Sequence, residues 1–134
     1  MKVIQTTLYV DDQDKALKFY TKILGFIKKA DVENDGYRWL TVVASEDEDC
    51  VELILQLDTN PIAKAFQKHM FDQNYPAIMF GVENVKKEYE RLSELGVDFV
   101  MEPKYIGVAT IARFDDTVGN LIQISEQTKK FRVR

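Results

Sequence analysis

The chain has 134 residues, 46% apolar and 30% charged, with a formal net charge of −4, which suits one globular domain and leaves no room for two of ordinary size. The acidic balance argues against nucleic acid as a partner, because the basic groups at Lys86 and Lys87 and at Lys129, Lys130, Arg132 and Arg134 are short and read as solvated ends. No stretch approaches the roughly 20 apolar residues of a membrane helix, residues 1–7 read as strand rather than signal peptide, and Cys50 stands alone, so the expectation is a cytoplasmic chain with no internal disulfide.

Residues 3–10 alternate as a strand, with Ile4, Leu8 and Val10 on one face and Gln5, Thr7 and Tyr9 on the other. Asp11 and Asp12 supply capping oxygens for a helix over 13–24, whose stripe is Ala16, Leu17, Tyr20, Ile23 and Leu24 and whose stop is Gly25. Strands follow at 26–30, 37–44 and 51–57, the last after the acidic turn at 45–49. Behind that acidic run, Cys50 reads as a small residue at a strand start and not as a nucleophile, which needs an electropositive setting. Pro61 opens a connecting helix in which Ile62, Phe66 and Met70 recur at helical spacing and His69, the one histidine, sits at the helix edge, facing solvent or donating across a dimer interface. The pattern then restarts: a strand at 77–82, a helix at 84–95 with Val85, Tyr89, Leu92 and Leu95 inward, a stop at Gly96, and strands at 98–102, 108–114 and 121–126, before a fraying tail.

The restart is a repeat. Gly25 follows Val10 by fifteen positions and Gly96 follows Val82 by fourteen; Gln5 to Glu52 spans 47 positions and Ala77 to Gln123 spans 46. A duplicated βαβββ unit explains all of these matches at one offset, and the fold class is α+β.

These residues resemble the glyoxalase/bleomycin-resistance/extradiol-dioxygenase superfamily, also called vicinal oxygen chelate. The resemblance is carried by Leu8-Tyr9-Val10 with Asp12, then Ala16, Phe19-Tyr20 and Leu24-Gly25-Phe26. The second half adds Tyr89, Leu92 and Leu95-Gly96-Val97, and the finish adds Phe114-Asp115-Asp116-Thr117, Gly119-Asn120, Ile122 and Ile124. It implies one domain over 1–127: a first module at about 1–57, a connecting helix at about 60–74 and a second module at about 76–127, with 128–134 as a tail. It also implies a strand-lined cleft and a homodimer.

In metal-dependent relatives the ligands come from the first and fourth strands of each module, positions held here by Gln5, Glu52, Ala77 and Gln123. Strand alternation independently turns all four away from the apolar face. Glu52 is a good hard-metal ligand, Gln5 a usable one, Gln123 a weak neutral donor and Ala77 none, so no conventional metal site and no cofactor is expected. If a divalent metal such as zinc or nickel is bound, its ligands are Gln5, Glu52 and Gln123. Gln123 cannot shuttle a proton; Glu52 could, with burial raising its pKa.

Two functional readings follow. One is metal-independent binding of a small molecule in the cleft, resembling the drug-sequestering branch of the superfamily. The other is a glyoxalase-like lyase or isomerase using Glu52 and Gln5. The expected lining is Gln5, Thr7 and Tyr9, with Glu52, Ile54 and Gln56, Met79, and Leu121, Gln123 and Ser125. Trp39 stacks on a ligand or belongs to the core, and Arg38 pairs with an acidic ligand or an acidic neighbour. Tyr105 and Arg113 are further candidates. No catalytic triad or phosphate-cradling glycine loop is present in the sequence.

Overall fold

The computed structural model describes residues 1–47 and 49–127. The expected fraying of the tail beyond Gln127 lies outside the described residues. The chain divides into two compact units, Met1–Gln67 and the part from Lys68 onward. Each carries a four-stranded sheet, and the α+β reading of two βαβββ modules holds. No helix among the described residues is long and apolar enough to cross a membrane.

In the first unit, β1 (Gln5–Val10) leads into α1 (Gln13–Lys18), which continues as a π-helical turn over Phe19–Ile23. Asp12 caps the helix, its carboxylate accepting from the Lys15 N–H at 2.9 Å. The expected α-helix over 13–24 is therefore two kinds of helix. The Thr21 hydroxyl takes the Leu17 carbonyl at 2.6 Å, and the Leu24 N–H reaches back five residues to Phe19 O at 3.1 Å. Gly25, at φ +89°, then reverses the chain, and the Phe26 N–H closes on Tyr20 O at 2.9 Å.

Strand β2 (Ile27–Asn34) runs four residues past its expected end, because Asp35 and Gly36 at φ +52° and +79° join it to β3 (Tyr37–Val43) as a tight hairpin. β4 (Glu52–Leu57) completes the sheet in the order β1-β4-β3-β2, with β1 and β4 parallel. Leu8, Val10, Leu40, Val42, Leu53 and Leu55 close its core against Ala16 and Tyr20 of the helix.

Helix α2 (Pro61–Asp72) starts at the expected proline, with Asn60 Oδ1 accepting from the Ile62 N–H at 2.9 Å. The expected buried stripe is absent. Ile62 is 81% and Phe66 62% exposed, and no residue of α2 is buried. The reason is that helical spacing shows only that apolar side chains share a face, not that anything covers it. His69 is exposed on this chain.

The second unit repeats the first with β5 (Ile78–Gly81), α3 (Val85–Glu94), β6 (Phe99–Tyr105), β7 (Ala109–Asp115) and β8 (Leu121–Gln127), in the order β5-β8-β7-β6. Asn84 caps α3 as Asp12 caps α1, and Gly96 stops it at φ +89° as Gly25 does in the first unit. Val85 and Leu92 are buried and Tyr89 packs edge-on against Phe99 at 4.7 Å, but Leu95, expected inward, is 50% exposed because it ends the helix beside Gly96. The turn from β7 into β8 is organised by the buried Asp116, whose Oδ1 accepts from the Val118 and Asn120 N–H groups at 2.9 Å each and whose Oδ2 accepts from Asn120 Nδ2 at 2.9 Å.

Candidate functional site

In the first unit the parallel register pairs Gln5 with Glu52 and Thr7 with Ile54. Gln5 Nε2 donates to Glu52 Oε2 at 3.3 Å, and the Thr41 hydroxyl donates to Glu52 Oε1 at 2.6 Å. Lys29 Nζ stands 3.9 Å from Oε2. Alternation on β3 puts Trp39, half-buried, on the same face as Thr41, next to Val32 of β2. The structure thus brings Gln5, Thr7, Trp39, Glu52 and Ile54 onto one sheet face.

The side chain of Glu52 is only 14% exposed, yet its pKa is lowered, not raised. The Thr41 hydrogen bond is the largest cause and outweighs desolvation, with Gln5 and then Lys29 adding to it. The expectation that burial would make Glu52 a useful base fails on these partners. Strand periodicity fixes which way Glu52 points, but Thr41 and Lys29 reach it from β3 and β2.

Arg38 is the exception to the expected lining. It shares the opposite face of β3 with Leu40 and Val42 and is held there by carboxylates. Its Nε and Nη2 meet the two Asp31 oxygens at 2.9 and 3.0 Å, and Nη1 meets Asp14 Oδ1 at 2.7 Å. The bidentate bond raises the Arg38 pKa and lowers that of Asp31. An open hollow of about 470 Å³ beside it is lined by Asp12, Asp14, Glu33, Tyr37, Arg38 and Gln56 among others, and Glu52 is not part of it.

The second unit presents different chemistry. Ala77 precedes β5 and gives its N–H to Leu121 O at 2.8 Å, while the residue paired with Gln123 is Met79. The expected counterpart of the Gln5–Glu52 pair is therefore Met79–Gln123: the spacing of the repeat places the strands but not their pairing register. Gln123 is buried, its Nε2 3.3 Å from Met79 Sδ. Its Oε1 accepts from Arg113 Nη2 at 2.6 Å across the β7–β8 pair, and Arg113 Nη1 donates to Asn74 O at 2.7 Å. Tyr105, the other lesser candidate, turns its hydroxyl to Gly107 O at 2.7 Å. Thr41, Lys29 and Met101, which pairs with Arg113, were not singled out in the sequence. The two-residue alternation of β3 from Trp39 was the one available signal for Thr41.

These donors do not fit a divalent metal. One of the two lone pairs of the Gln123 oxygen is taken by a guanidinium, and a second cation placed there is repelled. The Glu52 oxygens are engaged by Thr41, Gln5 and Lys29. Among the described residues no three His, Cys, Asp or Glu side chains are grouped to hold an ion.

Comparison with known proteins agrees with the architecture. Residues 2–124 match the family model Glyoxalase/Bleomycin resistance protein/Dioxygenase superfamily. The chain is 52% identical over 127 residues to the protein YurT of Bacillus subtilis, covering 95% of this chain and all of YurT. It is 26% identical to lactoylglutathione lyase of Escherichia coli O157:H7, covering 95% of this chain and 93% of the lyase. Among solved structures it superposes on UcmS2 with a TM-score of 0.82 at 32% identity, covering 95% of this chain and 98% of that one. It superposes on TnmS3, an antibiotic binding protein from Streptomyces sp. CB03234, with a TM-score of 0.76 at 26% identity, covering 96% and 97%.

Proposed function

The chain belongs to the glyoxalase/bleomycin resistance protein/dioxygenase superfamily, and on that premise we propose that it binds a small organic molecule without a resident divalent metal. The observation that carries this reading is the 2.6 Å bond from Arg113 Nη2 to Gln123 Oε1, which puts a fixed positive charge where the family resemblance calls for a metal ligand. Glu52 adds support: a carboxylate held ionised by Thr41, Gln5 and Lys29 is a weak proton acceptor and a good anchor for a donor on a ligand. The strand faces supply the rest, with Trp39 and Ile54 as apolar surface and Gln5 and Thr7 as hydrogen-bonding groups in the first unit, and Met79 beside Gln123 in the second. The antibiotic-binding neighbour TnmS3 supports the same class of role. We place the protein in the cytoplasm as a homodimer; the exposed Ile62 and Phe66 of α2 support association, which light scattering measures.

Trp39 is the only tryptophan and reports on its own sheet face. Chelator-treated protein, screened against a small-molecule library by Trp39 fluorescence and thermal shift, should yield compounds that stabilise it by mass action. A protein that binds no compound, but turns over a hemithioacetal once nickel or zinc is added, would replace this reading with the lyase.

A further inference from the structure

Arg113 is the one arginine among the described residues without a carboxylate partner. Arg38 is held by Asp31 and Asp14, and Arg91 by Glu88. Arg113 instead has a backbone carbonyl and an amide oxygen, and its Nε–H is enclosed by protein and meets no acceptor. Asp115, two residues along β7, turns its Oδ1 to the Thr117 N–H at 2.7 Å. Each Nη uses one of its two N–H groups in these bonds, so the fork keeps donors to spare.

A half-buried arginine whose hydrogen-bond partners are neutral pays desolvation without a counter-ion, a cost that a bound anion would offset. Its planar fork matches a carboxylate better than any other common group. The cross-strand row Met79–Gln123–Arg113–Met101 has a thioether at each end: Met79, 64% exposed, pairs with Gln123, and Met101 pairs with Arg113 on its other side. A thioether packs well on the edge of an aromatic ring. An exposed methionine in the same cross-strand row as a cation that lacks a counter-ion is poorly explained by stability alone.

We propose that the face carrying Arg113 recognises aromatic acids, the oxyanion docking on the Arg113 guanidinium and the ring lying against Met79 and Met101. This rests on the small-molecule reading above and names the chemical class of the ligand. The test is an NMR titration of the full-length labelled protein with 2-naphthoate and, separately, with 2-naphthamide, which keeps the ring and removes the charge. The arginine Nε–H signals and the Met79 methyl signal are followed, with Arg113→Lys used to assign the first. Naphthoate should shift the Arg113 Nε–H signal saturably and bind about tenfold tighter than naphthamide, the gain expected of one charge-assisted contact. In Arg113→Lys that preference should shrink. Equal affinities for acid and amide, with the Met79 methyl responding to both, would overturn acid recognition and leave small-molecule binding standing. No response at any of these signals to either compound would overturn acid recognition and count against the small-molecule reading as well.

Discussion

Arg113 and Gln123 face each other across the β7–β8 pair, and the guanidinium Nη2 donates to the amide Oε1 at 2.6 Å. Arg113 Nη1 ties the same side chain to Asn74 O, at a residue whose φ of +62° turns the chain ahead of β5. Arg113→Met should leave the buried Gln123 Oε1 and the Asn74 carbonyl without their donor. The expected loss is about 1–3 kcal/mol of stability, read from urea unfolding with an unchanged m-value.

Thr41 is fully buried, and its hydroxyl holds Glu52 Oε1. Thr41→Val keeps the shape and removes the donor. The Glu52 pKa should rise toward its ordinary value, and stability should fall by about 1–3 kcal/mol. A carboxyl carbon NMR titration of both proteins checks the first and denaturant unfolding the second.

Glu52 and Asp31 both have folded-state pKa values below their ordinary values of 4.5 and 3.8. A depressed carboxylate pKa means the unfolded chain takes up protons first as pH falls. The stability these groups contribute is complete above about pH 4.5 and is lost as pH drops through their lower folded values. Unfolding free energy measured from pH 7 to pH 3 should therefore decline at the acid end, and Glu52→Gln should make that decline shallower.

Asp116 accepts from the Val118 and Asn120 N–H groups and from Asn120 Nδ2 inside one turn, while Thr117 beside it is held at φ +67°. Asp116→Ala should cost about 3 kcal/mol, because the Val118 and Asn120 N–H groups lose their acceptor within a buried turn. Thermal unfolding with an otherwise native far-ultraviolet spectrum checks this; an unchanged midpoint would show that water substitutes for the carboxylate.

The fold was legible because its punctuation is local. Asp12 and Asn84 cap, Gly25 and Gly96 stop, and alternation in β1 separates Gln5 and Thr7 from Leu8 and Val10. Asp35-Gly36 is a hairpin signal, and it accounts for the greater length of β2. The site was legible only as far as direction. Periodicity says that Glu52 and Gln123 leave the apolar face, but Thr41, Lys29 and Arg113 reach them from other strands through registers the sequence does not print. Arg38 meets acidic neighbours, one of its two expected partners. One residue of parity on β3 separates it from Trp39, and that parity sends it to Asp31 and Asp14. The apolar stripe of α2 misled because spacing is a property of the helix, whereas burial depends on what packs against it.

Metal affinity tests the central claim most directly. Calorimetric titration of chelator-treated protein with nickel should give no saturable heat in the wild type. Gln123→Glu should not create a site either, since the new carboxylate would be neutralised by Arg113. Stoichiometric nickel or zinc bound by the wild type and kept through dialysis would contradict the account, because it would place a second cation beside the Arg113 guanidinium.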